Sequence, residues 1–275
     1  MNAIVESIPS PSSGTLHIGP LALNAYGLMI ALGVLAGISL AGRRFAARGI
    51  GDRDTMTSIA MWAVPAGVIG GRLYHVVTDW ERFSDDLGST VKVWEGGLGV
   101  WGGIALGVVV GLWRAKVMKL HVPTALVCVT PALPLAQAIG RWGNWFNQEL
   151  FGRPTDVPWA LEVSARTAEK AGYLPGTTFH PTFLYESLAC LVLCVVLLQI
   201  DKRREPRVPR LFHMYVIGYC VLRFFIEGLR IDPAHSAGGL RLNQWVSIVC
   251  AVSAALLLIP RDRRVAQQET QVSSD

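Results

Sequence analysis

The stretch IGPLALNAYGLMIALGVLAGISLAG, Ile18 to Gly42, runs 25 residues without a charge. A hydrocarbon core about 30 Å thick is crossed by a helix of roughly 20 apolar residues. This run is long enough, and it does not stand alone. Thr55–Gly71, Gly96–Trp113, Leu120–Gly140 and Leu242–Pro260 are also uncharged. Phe179–Ile200 is broken only by Glu186, and Leu211–Ile226 only by Arg223. The pattern predicts an all-α integral membrane protein with seven transmembrane helices. Composition agrees: 51% of the 275 residues are hydrophobic and 16% charged, against about 25% charged in soluble domains.

Basic residues give the direction of insertion. No Lys or Arg precedes Arg43. Segments 43–57, 114–120, 201–210 and 261–275 hold 15 Lys and Arg, whereas the alternate set 1–17, 79–95, 141–178 and 227–241 holds 8 over a greater length. Short cytoplasmic loops carry the basic excess. The N-terminus is therefore expected outside and the C-terminus in the cytoplasm, which needs an odd number of spans. The +5 net charge then reflects topology rather than nucleic-acid binding.

The expected organisation is a transmembrane catalytic domain over residues 1–260, with an outer segment 141–178 and a disordered cytoplasmic tail 261–275. Val157–Val163 reads as a short strand. All five cysteines lie in apolar runs without a CxxC pair, which predicts small buried hydrophobes and no metal site. With no basic region before the first apolar run, that run is expected to serve as the insertion signal itself. Gly99, Gly103, Gly107 and Gly111 fall every fourth residue, a face that lets another helix approach closely or leaves a groove for a lipid tail.

Polar groups at membrane depth are costly and mark function or buried pairing. GRWGNWFNQELFG, Gly140–Gly152, sets Arg141, Asn144, Asn147, Gln148 and Glu149 among two tryptophans and two phenylalanines. Interfacial belts explain the aromatics but not the polar cluster. Arg141 offers a planar fork suited to a phosphate, Asn144 suits glycerol oxygens, and Glu149 either orients Arg141 or moves a proton. Gly143 and Gly152 allow a non-helical path beside a ligand. Tyr219, Arg223, Glu227 and Arg230 recur at helical spacing, which places them on one face. Glu186, inside the fifth span, needs a partner among Arg141, Arg223 and Arg72. His180 reads either as an interface residue or as a base. Tyr26, Arg72 and His75 are further candidates for the same outward cavity. Together these groups predict a site for an anionic lipid head group, with the surrounding spans taking acyl chains.

The blocks now quoted resemble the bacterial prolipoprotein diacylglyceryl transferase family. GRWGNWFNQELFG matches its Gly-Arg-x-Gly-Asn-x-x-Asn-x-Glu-x-x-Gly signature at every fixed position. HPTFLYE (180–186), the Tyr219–Arg230 block, Tyr26-Gly27 and Gly70-Gly71-Arg72 follow in family order. The resemblance implies seven spans and transfer of sn-1,2-diacylglyceryl from phosphatidylglycerol to a preprolipoprotein lipobox cysteine. The thioether forms as sn-glycerol-1-phosphate leaves. It implies a bacterial inner-membrane location with the site toward the outer leaflet, and no cofactor.

By the same resemblance Arg141 and Arg223 carry the family's essential arginines, with Arg230 a third. Glu149 and Glu227 hold arginine geometry, and Tyr26 and Tyr219 donate hydrogen bonds. Asn144, Gly152, His180 and Glu186 complete the substrate site. Where many members have a histidine before a Gly-Gly pair in the third span, this chain has Trp101. The base is left open among His180, a glutamate and a substrate phosphate oxygen. The alternative from another class is a transporter for a small anion, which paired repeats would support.

Overall fold

The structure, a computed structural model, describes residues 7–18, 21–84, 86–92, 97–204, 210–234 and 236–272. Among these the chain is predominantly helical. Short strands β1 (Ile8–Pro9), β2 (Thr15–Ile18) and β3 (Leu21–Asn24) precede helix α1 (Ala25–Ala47). Helices α2 (Arg53–Thr78), α3 (Trp80–Phe83) and α4 (Val100–Val117) follow, with a 3-10 turn at Leu87–Val91. Then come α5 (Val122–Val129), α6 (Ala132–Gly140), α7 (Trp142–Asn147), β4 (Leu161–Glu162), α8 (Ala165–Lys170) and β5 (Thr178–Phe179). The chain closes with α9 (Thr182–Arg204), α10 (Arg210–Leu229), β6 (Ser236–Ala237), β7 (Leu240–Arg241) and α11 (Leu242–Val272).

Among the described residues five helical segments are long and apolar enough to cross a membrane: 25–47, 100–117, 122–147, 182–203 and 210–229. They make this a multi-pass, all-α membrane-spanning chain. The segment 122–147 is interrupted around Pro131 and at Arg141 but reads through α5, α6 and α7. Lipid as solvent accounts for the helix surfaces. Val109, Val192, Phe225 and Leu256 each expose more than half of their surface, a pattern that is costly in water and ordinary against acyl chains. The other two expected spans are both helices. Helix α2 has 26 residues but carries Thr55, Thr57, Ser58, Arg72 and His75, and Leu242–Leu258 is a shorter apolar helix. Helix α11 runs on to Val272, past Pro260, where the sequence reading ends the last span.

The chain divides into two compact units, 38–129 and the remainder. In unit 38–129 the glycine stripe meets another helix. Gly99 donates its N–H to Gly71 O at 2.8 Å. A side chain on Gly103 would meet Gly67 O at 3.2 Å, and one on Gly107 would meet Ala63 O at 3.3 Å. Helices α2 and α4 therefore cross backbone to backbone, the close approach that small residues permit. Asp52 starts α2 with a capping box: its Oδ1 accepts from Thr55 N at 2.8 Å, and Thr55 Oγ1 accepts from Asp52 N at 3.2 Å. Arg72 spends its guanidinium on the carbonyls of Thr90, Gly97 and Ser89, and His75 Nδ1 lies 2.7 Å from Asp79. Trp101 is half exposed on α4.

In the other unit, β1 pairs with β4, and β4 with β5, to make a three-stranded cap. Beneath it Phe151, Leu161, Val163, Ala168, Phe179 and Phe183 form a buried cluster. The strand expected within Val157–Val163 is β4, two residues long. Gly152 bridges Arg230 and Pro154 bridges Phe179, which ties the signature segment to the end of α10.

Candidate active site

Signature residues Trp142–Asn147 are helical, so Gly143 does not break the helix as expected. Its small size serves a different purpose: a side chain there would fall 2.5 Å from the Tyr26 ring. The turn comes later. Gln148 and Leu150 both take left-handed backbone angles, φ 51° and 60°, which are uncommon outside glycine and asparagine. They flank Glu149. Gln148 is held by Pro11 O at 2.8 Å, Ser164 N at 2.8 Å and Thr167 Oγ1 at 3.0 Å. Thr182 Oγ1 hydrogen-bonds Leu150 O. These contacts hold a strained pair of residues in place, as sites under functional constraint do.

At the end of α6, Arg141 keeps the helical bond to Gln137 O and turns its side chain toward α9. Its Nη2 lies 2.8 Å from Glu186 Oε1 and 3.3 Å from the Tyr219 hydroxyl. Pro181 directly precedes α9, and Glu186 sits one turn in, 3% exposed. Glu186 Oε2 lies 3.4 Å from Arg223 Nη1. Arg223 Nη2 in turn lies 2.6 Å from Glu227 Oε2, one turn along α10. Glu227 is fully buried. Arg230 Nη1 at 3.4 Å, Arg241 Nε at 3.1 Å and Asn243 Nδ2 at 3.3 Å complete its shell. Arg230 and Arg241 both continue to Asp232, at 2.7 Å and 3.0 Å.

The result is a ladder of four guanidiniums and three carboxylates drawn from the end of α6, from α9, from α10 and the residues just beyond it, and from β7. It leaves one excess positive charge. A charge buried at this depth persists only when paired and hydrogen-bonded. Asp232, beyond the end of α10, shows the balance: burial pushes its carboxyl up, but the hydrogen bonds and charges of Arg230 and Arg241 outweigh this and hold it below the usual carboxylate value.

Counting donors separates the arginines. A guanidinium has five N–H groups. Arg141 commits only Nη2 to the described residues, so its Nε and Nη1 edge is uncommitted among them. Arg223 commits Nη1 and Nη2 but not Nε. Arg230 commits all three nitrogens to Glu227 and Asp232. The carboxylates divide similarly. Both oxygens of Glu186 and both of Glu227 are ion-paired. Glu149 accepts from Asn144 at 2.9 Å and Asn147 at 3.4 Å, both on Oε1, so Oε2 has no partner among the described residues. The expectation that Glu149 orients Arg141 gives way to Glu186 in that position. Tyr26 lies within electrostatic reach of both Arg141 and Glu149. Asn144 is buried at 4% exposure.

A prolipoprotein diacylglyceryl transferase family model matches residues 13–260. The chain belongs to that family. It is 47% identical over 269 residues to phosphatidylglycerol-prolipoprotein diacylglyceryl transferase 1 of Streptomyces coelicolor, covering 96% of this chain and 77% of that one. It is 48% identical over 256 residues to that organism's transferase 2, covering 92% and 80%. The transferase of Mycobacteroides abscessus is 43% identical over 274 residues, covering 93% and 79%.

Within this member of the transferase family, the described contacts link Arg141, Glu186, Tyr219, Arg223, Glu227 and Arg230 into one network, with Tyr26, Asn144 and Glu149 at its α7 end. His180 is not in it. Its Nδ1 lies 3.1 Å from the Tyr185 hydroxyl, which also accepts from Trp159 Nε1 at 2.9 Å. Gly152 packs against the His180 Cβ and Leu229 O. Sequence reasoning missed Asp232 and Arg241. Arg241 entered it only as one of eight outer basic residues, because nothing in its neighbours marks it as buried. Among the described residues no group of three His, Cys, Asp or Glu side chains is arranged to hold a metal ion.

Proposed function

We propose that this chain transfers sn-1,2-diacylglyceryl from phosphatidylglycerol to the lipobox cysteine of a preprolipoprotein, forming a thioether. One observation carries the site assignment: Arg141 and Arg223, from different spans, converge on the buried Glu186 with N–H groups left over. Those groups face a lipid phosphate.

Three tasks make up the reaction. The cysteine thiol gives up its proton, since thiolate is the nucleophile. The sulfur then forms a bond to the glycerol carbon as the C–O bond to phosphate breaks, in line with it. The bonding pair leaves with glycerol phosphate, where the uncommitted edges of Arg141 and Arg223 stabilise the charge. Asn144 and Tyr26 orient the glycerol and ester oxygens. Glu149 Oε2, which has no partner among the described residues, receives the thiol proton, since both oxygens of Glu186 and of Glu227 are spent on arginines. Glu186 and Glu227 aim the forks, and Arg230 holds Glu227.

Seven spans, with the N-terminus outside and the C-terminus cytoplasmic, agree with this reading. Helix α2 at 26 residues has a length of about 39 Å at 1.5 Å per residue, and Leu242–Leu258 supplies the seventh. The basic loops then lie inside and the site opens toward the outer leaflet of the inner membrane.

The test is purified protein in detergent with labelled phosphatidylglycerol and a lipobox peptide. Mass gain on the peptide cysteine is expected, with loss of roughly 10²–10³-fold in turnover for Arg141→Ala and for Arg223→Ala. Near-full turnover in both variants would defeat the clamp assignment. Glu149→Gln is expected to lose turnover while still binding the lipid.

A further inference from the structure

Arg241 lies on β7, immediately before α11, and is 15% exposed in its side chain. Every nitrogen of its guanidinium is engaged. Nε meets Glu227 Oε1 at 3.1 Å. Nη1 donates to Glu227 O at 3.3 Å and Arg230 O at 3.0 Å. Nη2 donates to Asp232 O at 2.6 Å and Asp232 Oδ2 at 3.0 Å. Four hydrogen bonds from Nη1 and Nη2 and the ion pair at Nε leave no nitrogen of this guanidinium uncommitted among the described residues. Its own backbone is held too: Arg241 N donates to Gln244 Oε1 at 3.0 Å, and Gln244 Nε2 donates to Phe224 O at 3.2 Å. The β7–α11 junction is thereby bolted to α10 beside Arg223.

We propose that Arg241 is a positioning residue of the transferase, fixing Glu227 and Asp232 so that the Arg223 and Arg230 forks hold one aim toward the lipid phosphate. The inference rests on the function proposed above. Glu227 meets Arg223 and Arg230 through Oε2 and Arg241 through Oε1. Without Arg241, Glu227 Oε1 keeps only Asn243 at 3.3 Å among the described residues, and the carboxylate that Arg223 and Arg230 share is held less firmly. Lysine is no substitute, since three donors on a point charge cannot fill a five-donor planar arrangement. Asp232 is faced by Arg230 from the end of α10 and Arg241 from β7, and Lys170 of α8 shares a cavity wall with it.

The experiment uses full-length protein in detergent with Arg241→Lys and Arg241→Gln. Kinetic constants are taken per folded molecule, and phenylglyoxal labelling of Arg223 is followed by peptide mass. We expect kcat to fall roughly 3–30-fold, the range for residues coupled to a site without touching ligand. The acid limb of the pH–rate profile moves toward neutral pH in Arg241→Gln, because Asp232 loses a cation. Arg223 labels faster in both variants. Wild-type kcat with an unmoved acid limb and unchanged labelling would overturn the proposal, and so would an activity loss wholly accounted for by unfolded protein. A wild-type protein that transfers no diacylglyceryl sinks the proposed reaction instead, and the labelling rates still decide the role of Arg241.

Discussion

Replacing Glu186 by glutamine preserves shape and removes one charge from the centre of the ladder. Arg141 loses its only carboxylate among the described residues and keeps Tyr219 at 3.3 Å. Arg223 keeps Glu227 at 2.6 Å. Breaking a buried pair costs about 3–5 kcal/mol. Arg141 is 23% exposed in its side chain and glutamine still offers a carbonyl, so we expect about 2–3 kcal/mol of stability loss. The kinetic consequence has a sign of its own. A guanidinium that no longer points at the departing phosphate forfeits about 3 kcal/mol in the transition state, on the order of 10²-fold in kcat. Binding moves the other way. A carboxylate about 5 Å from a phosphate repels it by roughly 3 kcal/mol at an effective dielectric constant near 20, and that repulsion disappears. Glu186→Gln therefore lowers kcat while KM for phosphatidylglycerol stays level or falls. Arg141→Ala lowers kcat and raises KM. Both constants come from the labelled-lipid assay at saturating peptide. Unchanged kcat in Glu186→Gln, or a KM that rises as in Arg141→Ala, would refute the assignment of Glu186 as the aligner of the two arginines.

Other outcomes follow from the same contacts. Gly152→Ala places a methyl 2.8 Å from the His180 Cβ and 3.2 Å from Leu229 O; it is expected to cost about 1–3 kcal/mol as overpacking, read as a lower thermal midpoint together with reduced turnover. Gly70→Val drives a side chain into Gly102 O and Leu106 and is expected to separate α2 from α4, seen as loss of folded protein on size exclusion in detergent. The depressed Asp232 carboxyl stabilises the fold fully above the unfolded carboxylate pKa, about 4. That contribution disappears as pH falls through its lower folded value. The stability gap between wild type and Asp232→Asn is therefore constant from neutral pH down to about pH 5 and closes below it; a gap that grows on acidification would reverse the sign.

The five long apolar helices were legible because lipid imposes a length and a composition, and both are one-dimensional. The glycine face at residues 99–111 was legible for a similar reason: a helix repeats every 3.6 residues, so spacing reports a face. Glu227 paired with Arg223 and Arg230 at one-turn spacing for the same cause. By contrast, no spacing joins Glu186 to Arg141, 45 positions away on another helix. The sequence set out three possible partners for it, and the packing of α6, α9 and α10 selected two. Gln148 and Leu150 carry no residue signal for left-handed backbone; clamps from Pro11, Ser164, Thr167 and Thr182 impose it.

The amino-acid sequence by itself determined that this chain is a multi-pass membrane protein, where its long apolar helices fall, and that arginines and carboxylates interrupt or adjoin those apolar runs. Only the tertiary structure decided which donors are spent and which remain. It assigned Glu186 to Arg141, drew Arg241 and Asp232 into the ladder, and left Nε and Nη1 of Arg141 and Nε of Arg223 uncommitted among the described residues. The physical reason is that a hydrogen bond depends on distance and angle between groups far apart in the chain, and buried charges accept no arrangement that leaves them unpaired.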